Sequence, residues 1–498
     1  MAEKSIYKRI AEYIASEGAL PADFVAEEKE YKADELRFAP GTLEGVLGHH
    51  LTAEGEIGDY LEKIKGYQFI SPQDAMYVFE TLEADDFKTA SLRAAIRRGI
   101  NGNRNEYDPG KLADVGACFI EWGTKVETVK LGLVLLSLFD WSSNEKMKEM
   151  IKTLGYCEEF TYYAMEHAQH WDENERQTYY FDLAQKLKGW GKINAVDKLK
   201  GDTVKKQKWI LSYGCENTIR CAYSARTCVD QCDMYNRMKN DTLSAEEFKG
   251  ACTIMKGLLD EGIRPGLSTV ESPVEFTLAY IAQCKDRELD VELVSLLACL
   301  DTYFQSDKYE NADKISEAIK ELLSSLDMKA YLMENLEAHA HKCIQIANIY
   351  DVDMTEQIIE LIDKDFEKYY TLCYSLFAKD AYLDRFFEIC DREVKEELYE
   401  KGMGNAVGLG TMAPGTVKLD MIVQFIGKYP LQGKKMVIIC MQSPITRWRN
   451  VAAKALITWT NITEKSLSKL DSQLYALLKD VINKECNDKT KDMWKKLI

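Results

Sequence analysis

Proline is scarce in this chain, with nine in 498 residues. An interior proline removes an amide donor and clashes with the turn before it, so its scarcity permits long helices almost anywhere. Long apolar runs are missing too. Nothing approaches the ~18 consecutive apolar residues of a membrane span, and the longest candidate, residues 131–139, is far shorter. Residues 1–10 are charged and polar and lack a signal-peptide apolar core. Without export, the expected compartment is the reducing cytoplasm. The 14 cysteines, scattered singly from Cys118 to Cys486, are then expected as free thiols. The sequons at Asn240 and Asn461 carry no meaning in that setting.

Several chemical signatures are absent as well. No Cys-x-x-Cys occurs, which removes the zinc-ribbon pattern. No Gly-x-Ser-x-Gly elbow occurs. The stretch from Gly427 to Lys435 fails as a Walker A loop. Five residues separate Gly427 from Gly433 where four are needed, and Lys435 stands where a Ser or Thr must meet magnesium. The glycines of residues 402–415 follow no strand, so they do not form a dinucleotide fingerprint. No cofactor is expected.

What is present is helical periodicity. Ala75, Val78, Phe79 and Leu82 fall on one helical face, and Ser71-Pro72 opens that helix as N-cap and first residue. Leu293, Leu296, Leu297 and Leu300 repeat the pattern, as do Ile315, Ile319, Leu322 and Leu323. Alternating β-branched runs with Asn-Gly turns are missing. The short apolar run 436–441 reads as a buried helix, because Ser443-Pro444 starts another directly after it. With 46% hydrophobic residues the chain can bury a large core.

Helices of this length joined by short turns cannot bury their apolar faces in isolated pairs, so neighbours must stack. Two segments carry a family resemblance. In residues 443–459 a proline precedes Arg447, Arg449 and Asn450, followed by the small residues Ala452, Ala453 and Ala455 beside Leu456. Residues 124–139 space Val129, Leu133 and Leu136 comparably. Both resemble the second helix of a HEAT repeat, and residues 187–199, followed by 209–215, resemble uncharacterised bacterial HEAT-like proteins. The resemblance implies an all-α fold, an α-solenoid of stacked helical hairpins, with room for about ten to twelve units. It transfers no catalytic residue.

Three regions interrupt the pattern. Residues 17–62 carry twelve Asp or Glu against Lys29, Lys32 and Arg37, so residues 1–70 are expected to form an irregular acidic N-terminal cap. A Pro/Gly loop at 262–273 separates an N-terminal array, 71–261, from central repeats, 274–401. A Gly-rich loop at 402–415 precedes C-terminal repeats at 416–498.

The net charge of −17 disfavours general attraction to DNA, RNA or anionic lipid and slightly favours a basic partner. Charge is nevertheless segregated. Residues 421–463 contain no Asp or Glu, but they hold Lys428, Lys434, Lys435, Arg447, Arg449 and Lys454 with Trp448 and Trp459. Residues 186–208 hold eight lysines, including Lys192, against Asp197 and Asp202, with Trp190. Basic residues beside aromatics are the ingredients of an anion or nucleic-acid groove. Lys434, Lys435, Arg447, Trp448, Arg449, Asn450, Trp190 and Lys192 are therefore candidate partner- or anion-binding residues. His167 and His170, three apart on a helix, share a face and form the candidate metal pair.

The leading expectation is a non-enzymatic interaction or scaffold protein that binds another protein or peptide along an extended surface. Nucleic acid could use the local basic segments, though the net charge opposes it, and no membrane contact is expected. The second reading is a nucleic-acid enzyme resembling the HEAT-like alkylpurine DNA glycosylases. The third is a metal-dependent hydrolase built on His167 and His170.

Overall fold

The computed structural model describes residues 4–32, 34–50, 55, 57–262, 264–305, 309–377, 380–409 and 413–498. The all-α expectation holds. Among the described residues there are 28 α-helices and no strand, with an isolated parallel bridge between Ala406 and Ile445. No helix among them is long and apolar enough to cross a membrane. All 14 cysteines are thiols.

Local chemistry sets the helix starts. Ser71 caps Pro72–Leu82, its hydroxyl accepting the Asp74 amide at 3.1 Å. Asp108, Asn144, Asp172 and Asp471 do the same for the helices that follow them. Ser244 and Glu247 form a reciprocal capping box at Ala245–Leu259. The run 436–441 is indeed helical, within Lys434–Met441. The next helix starts later than Ser443-Pro444 suggests, at Thr446. The Ser443 hydroxyl is taken by the Ile445 amide at 3.1 Å and its carbonyl by Arg449 at 2.8 Å, which holds a turn there.

The chain forms two compact units. The first comprises Met1–Lys29, Phe38–Glu288 and Cys299–Leu322. The second comprises Glu30–Arg37, Leu289–Ala298 and Leu323–Ile498. The Pro/Gly loop at 262–273, with residue 263 outside the described residues, lies within the first unit.

In the first unit, packing runs mainly between helices close in sequence: Pro109–Trp122 on Val126–Leu136, Glu173–Lys186 on Trp190–Lys198, and, across the short helix Met234–Asn240, Ala222–Gln231 on Ala245–Leu259. The first pair meets at Gly116 and Gly132. A Cβ on Gly132 would sit 2.8 Å from the Phe119 Cβ and 2.9 Å from the Gly116 carbonyl, so only glycine allows this approach. Helix Val126–Leu136 is buried along its whole length, Lys130 included. Lys130 Nζ lies 2.8 Å from Glu44 Oε1 and 2.9 Å from Glu159 Oε2, and the Tyr163 hydroxyl donates to Glu44 at 2.8 Å. Glu44 comes from Thr42–His49, which packs on Thr89–Gly102 and Trp190–Lys198. Part of the acidic N-terminal segment is thus spent inside the core. Of that segment, residues 33, 51–54 and 56 lie outside the described residues, as do residues 1–3 of the 1–70 region.

In the second unit, Thr446–Thr463 is central and packs on Ala413–Ile426, Lys434–Met441 and Asp488–Lys495. Its small residues Ala452, Ala453 and Ala455 are buried. The Trp459 indole donates to the Ile426 carbonyl at 2.8 Å, closing the end of Ala413–Ile426. Of the Gly-rich segment 402–415, residues 410–412 lie outside the described residues and a helix begins at Ala413.

Candidate functional site

The residues proposed in 421–463 divide sharply. Arg449 is fully buried. Its Nε and Nη2 each donate to the Glu485 carboxylate at 2.8 Å, and its remaining donors reach the Ser443 carbonyl at 2.8 Å and the Gly404 carbonyl at 2.7 Å. Burial alone would raise the Glu485 carboxyl, but the bonds from Arg449 and the Asn487 amide outweigh it and hold it below its ordinary value. Trp448 is buried against Tyr399. Lys434 pairs with Asp471 at 2.5 Å, and Lys435 donates to the Asp391 carbonyl at 2.7 Å. These four side chains are occupied by the fold.

Arg447 and Asn450 are placed differently. They line a groove of about 450 Å³ between Ala413–Ile426 and Thr446–Thr463. Val423, Val451 and Ala455 contribute apolar surface to this groove, and Gln424, Lys454 and Thr458 contribute polar groups. Lys454 is exposed and has no ion-pair partner among the described residues. Asn450 Oδ1 accepts the Thr490 hydroxyl at 2.8 Å, which fixes its amide.

Arg447 also borders a second hollow of about 220 Å³, lined by residues 405–409, Asp420 and residues 445–448. Its guanidinium is 2.6 Å from Asp420 Oδ2 and stays 62% exposed, so the cation remains reachable. The other Asp420 oxygen is buried and unpartnered among the described residues. It offers an acceptor to an incoming N–H. Along the rim, the amides of Val407 and Leu409 each donate to the Asp34 carboxylate at 2.7 Å, which holds that carboxyl below its ordinary value. This rim of backbone amides already accommodates one carboxylate. Arg447 and Lys454 at these hollows are balanced by Asp420 and by Asp34 on the rim, so the site lacks the acidic excess of the chain as a whole.

The other basic segment, 186–208, belongs to the first unit. Trp190 is buried with Ile193 and Tyr223, and packs on the His49 ring at 5.9 Å and the Tyr223 ring at 4.8 Å. His50 Nε2 lies 2.7 Å from the Tyr223 hydroxyl, and Arg264 bonds His49 Nδ1 at 3.0 Å. Burial lowers the His49 imidazole, opposed by Asp197 and assisted by Arg264 and His50. His49, His50, Tyr223 and Arg264 were not singled out by sequence reasoning, because they come from three distant stretches. The only early signal is the His-His pair in a chain with six histidines. Lys192 is buried 5.7 Å from the Trp209 ring, and burial lowers its ammonium.

The candidate metal pair separates. His167 is buried with Nε2 on the Leu133 carbonyl at 2.9 Å, and burial pushes its imidazole down to about 4. His170 is exposed. Among the described residues no group of three or more His, Cys, Asp or Glu side chains could hold a metal ion.

No protein-family model, no curated protein and no solved structure matches this chain.

Proposed function

We propose that this chain is a HEAT-like α-solenoid that works as a binding protein, holding an extended acidic segment of a protein partner in the groove on either side of Arg447. One observation supports this above the others. Arg447, 62% exposed, stands between two adjoining hollows, with Lys454 free of an ion pair among the described residues on one side and the unpartnered Asp420 Oδ1 on the other. A partner carboxylate would meet Arg447 or Lys454, a partner amide N–H would meet Asp420 Oδ1, and small apolar side chains would rest on Val423, Val451 and Ala455. This pattern of few polar contacts over an apolar base suits recognition of a peptide backbone.

The test uses the full chain and a fluorescent peptide of alternating Glu and Leu, read by anisotropy. The expected result is salt-sensitive binding that weakens by about tenfold or more in Arg447→Glu/Lys454→Glu. A Lys-containing peptide of the same length should not bind. Unchanged affinity in the double variant, or stronger binding of single-stranded DNA than of the acidic peptide, would overturn the proposal.

A further inference from the structure

The amide rim of the smaller hollow is already filled from within the chain. Residues 405–409 run beside the start of Thr446–Thr463. Ala406 is bridged to Ile445, and its carbonyl takes the Thr446 amide at 3.0 Å. Just before it, the Gly404 carbonyl takes Arg449 at 2.7 Å. These groups are spent on the helix, but the amides of Val407 and Leu409 are not. Gly408 between them sits at φ 80°, a left-handed bend that glycine adopts without strain. Both amides converge on one carboxylate: Val407 donates to Asp34 Oδ2 and Leu409 to Asp34 Oδ1, each at 2.7 Å. Backbone amides turned toward one point make an anion cradle.

Asp34 comes from 373 residues before Val407. Residues 30–37 belong to the second unit, and the described ones other than Asp34 are exposed. Their other polar contacts among the described residues stay within the segment. The Lys32 amide donates to the Glu35 carboxylate at 3.1 Å, the Glu35 amide donates to the Lys32 carbonyl at 3.1 Å, and the Arg37 guanidinium lies 4.8 Å from the Tyr31 ring. Among the described residues, Asp34 alone ties this segment by hydrogen bonds to the rest of its unit. The segment also has the composition of the partner proposed above. It carries Glu30, Asp34 and Glu35 beside Tyr31 and Leu36, and Leu36 is 48% exposed.

Resting on that reading of the groove, we infer that residues 30–37 are a built-in competitor. Asp34 occupies the carboxylate cradle, and an acidic partner binds by taking its place on the Val407 and Leu409 amides while a second partner carboxylate meets Arg447.

The exchange is nearly even at the cradle itself, because two charge-assisted hydrogen bonds are lost and two are made. Asp34 keeps its place through its tether, which raises its effective concentration without any further contact. A free partner must therefore add a contact that Asp34 does not make. Arg447 borders the same hollow and is 62% exposed, so it supplies one. A partner with a single carboxylate loses to Asp34, whereas a segment with spaced carboxylates displaces it. The competitor thus selects for segments of several acids.

The fluorescent Glu/Leu peptide is titrated against the full-length wild type and Asp34→Asn. An amide side chain cannot accept from both backbone N–H groups, so the substitution empties the cradle. Binding should tighten about tenfold in Asp34→Asn, because the open cradle is no longer a minor state. Hydrogen exchange over residues 405–409 should quicken in the variant alone and slow again when the Glu/Leu peptide is added. Equal or weaker binding by Asp34→Asn would overturn the inference, making Asp34 a brace for the loop, and would leave the groove reading intact. Exchange over 405–409 that the substitution does not change would overturn it as well. Binding by the variant alone would support both. Binding by neither protein would remove the groove reading and this inference with it.

Discussion

Arg449 and Glu485 meet through two parallel hydrogen bonds of 2.8 Å, with neither side chain exposed. A buried pair of this kind adds little over an apolar pair of equal shape, but breaking it leaves one charge stranded. Arg449→Met should lower unfolding free energy by about 3–5 kcal/mol. Arg449→Met combined with Glu485→Leu should recover most of that. Urea unfolding of the three proteins checks this, and a single variant as stable as wild type would contradict it.

Lys130 poses the same problem with the signs exchanged. Removing its ammonium leaves Glu44 and Glu159 facing one another in the core. Lys130→Met should therefore cost several kcal/mol, on the order of 3–5. Adding Glu44→Gln should restore part of it, because the amide still accepts the Tyr163 hydroxyl. Thermal unfolding of the single and double variants reads the coupling.

His167 gives a pH dependence whose sign can be worked out. The folded protein holds its imidazole at about 4, whereas the unfolded chain takes up that proton near ~6.5. Between those values the unfolded state binds more protons, so stability falls as the pH drops. The contribution is complete above ~6.5 and declines by up to about 1.4 kcal/mol per pH unit toward the folded value. His167→Gln keeps a donor for the Leu133 carbonyl and removes the titration. Its stability should vary less with pH over that window, as measured by urea unfolding at several pH values. Parallel curves for the two proteins would refute the assignment.

Gly250 should resist replacement despite its helical position. Alanine would gain about 1 kcal/mol of helix propensity. Its Cβ would stand 2.0 Å from the Leu211 carbonyl, however, and backbone cannot swing aside as a flexible side chain can. Overpacking of this kind costs about 1–3 kcal/mol or more. Gly250→Ala should be net destabilising in thermal unfolding.

Much of the helical framework was legible in the sequence because its causes are local. Ser71-Pro72 and the run 436–441 needed only cap chemistry and flanking residues. The sites were less legible. Arg447 and Arg449 are two residues apart on one helix, yet one borders the groove and the other is enclosed. Small residues on several faces of that helix gave no single apolar stripe from which to tell them apart. In Val126–Leu136 the pattern of Val129, Leu133 and Leu136 suggested one buried face, while the helix is buried all round. Lys130 in the middle of that apolar run was the sign of an internal ion pair, but its partners lie far along the chain. The contact between His50 and Tyr223 spans 173 residues and has no local pattern to announce it.

The bond from Trp459 to the Ile426 carbonyl has a mechanical consequence for the groove above it. It staples the two walls together at one end, while Arg449 anchors the nearer wall to Glu485, Ser443 and Gly404. A groove braced in this way would lose little freedom on taking up the partner proposed above. Under that proposal a partner must fit the groove's width instead of moulding it, and selectivity should show in how long each stays bound.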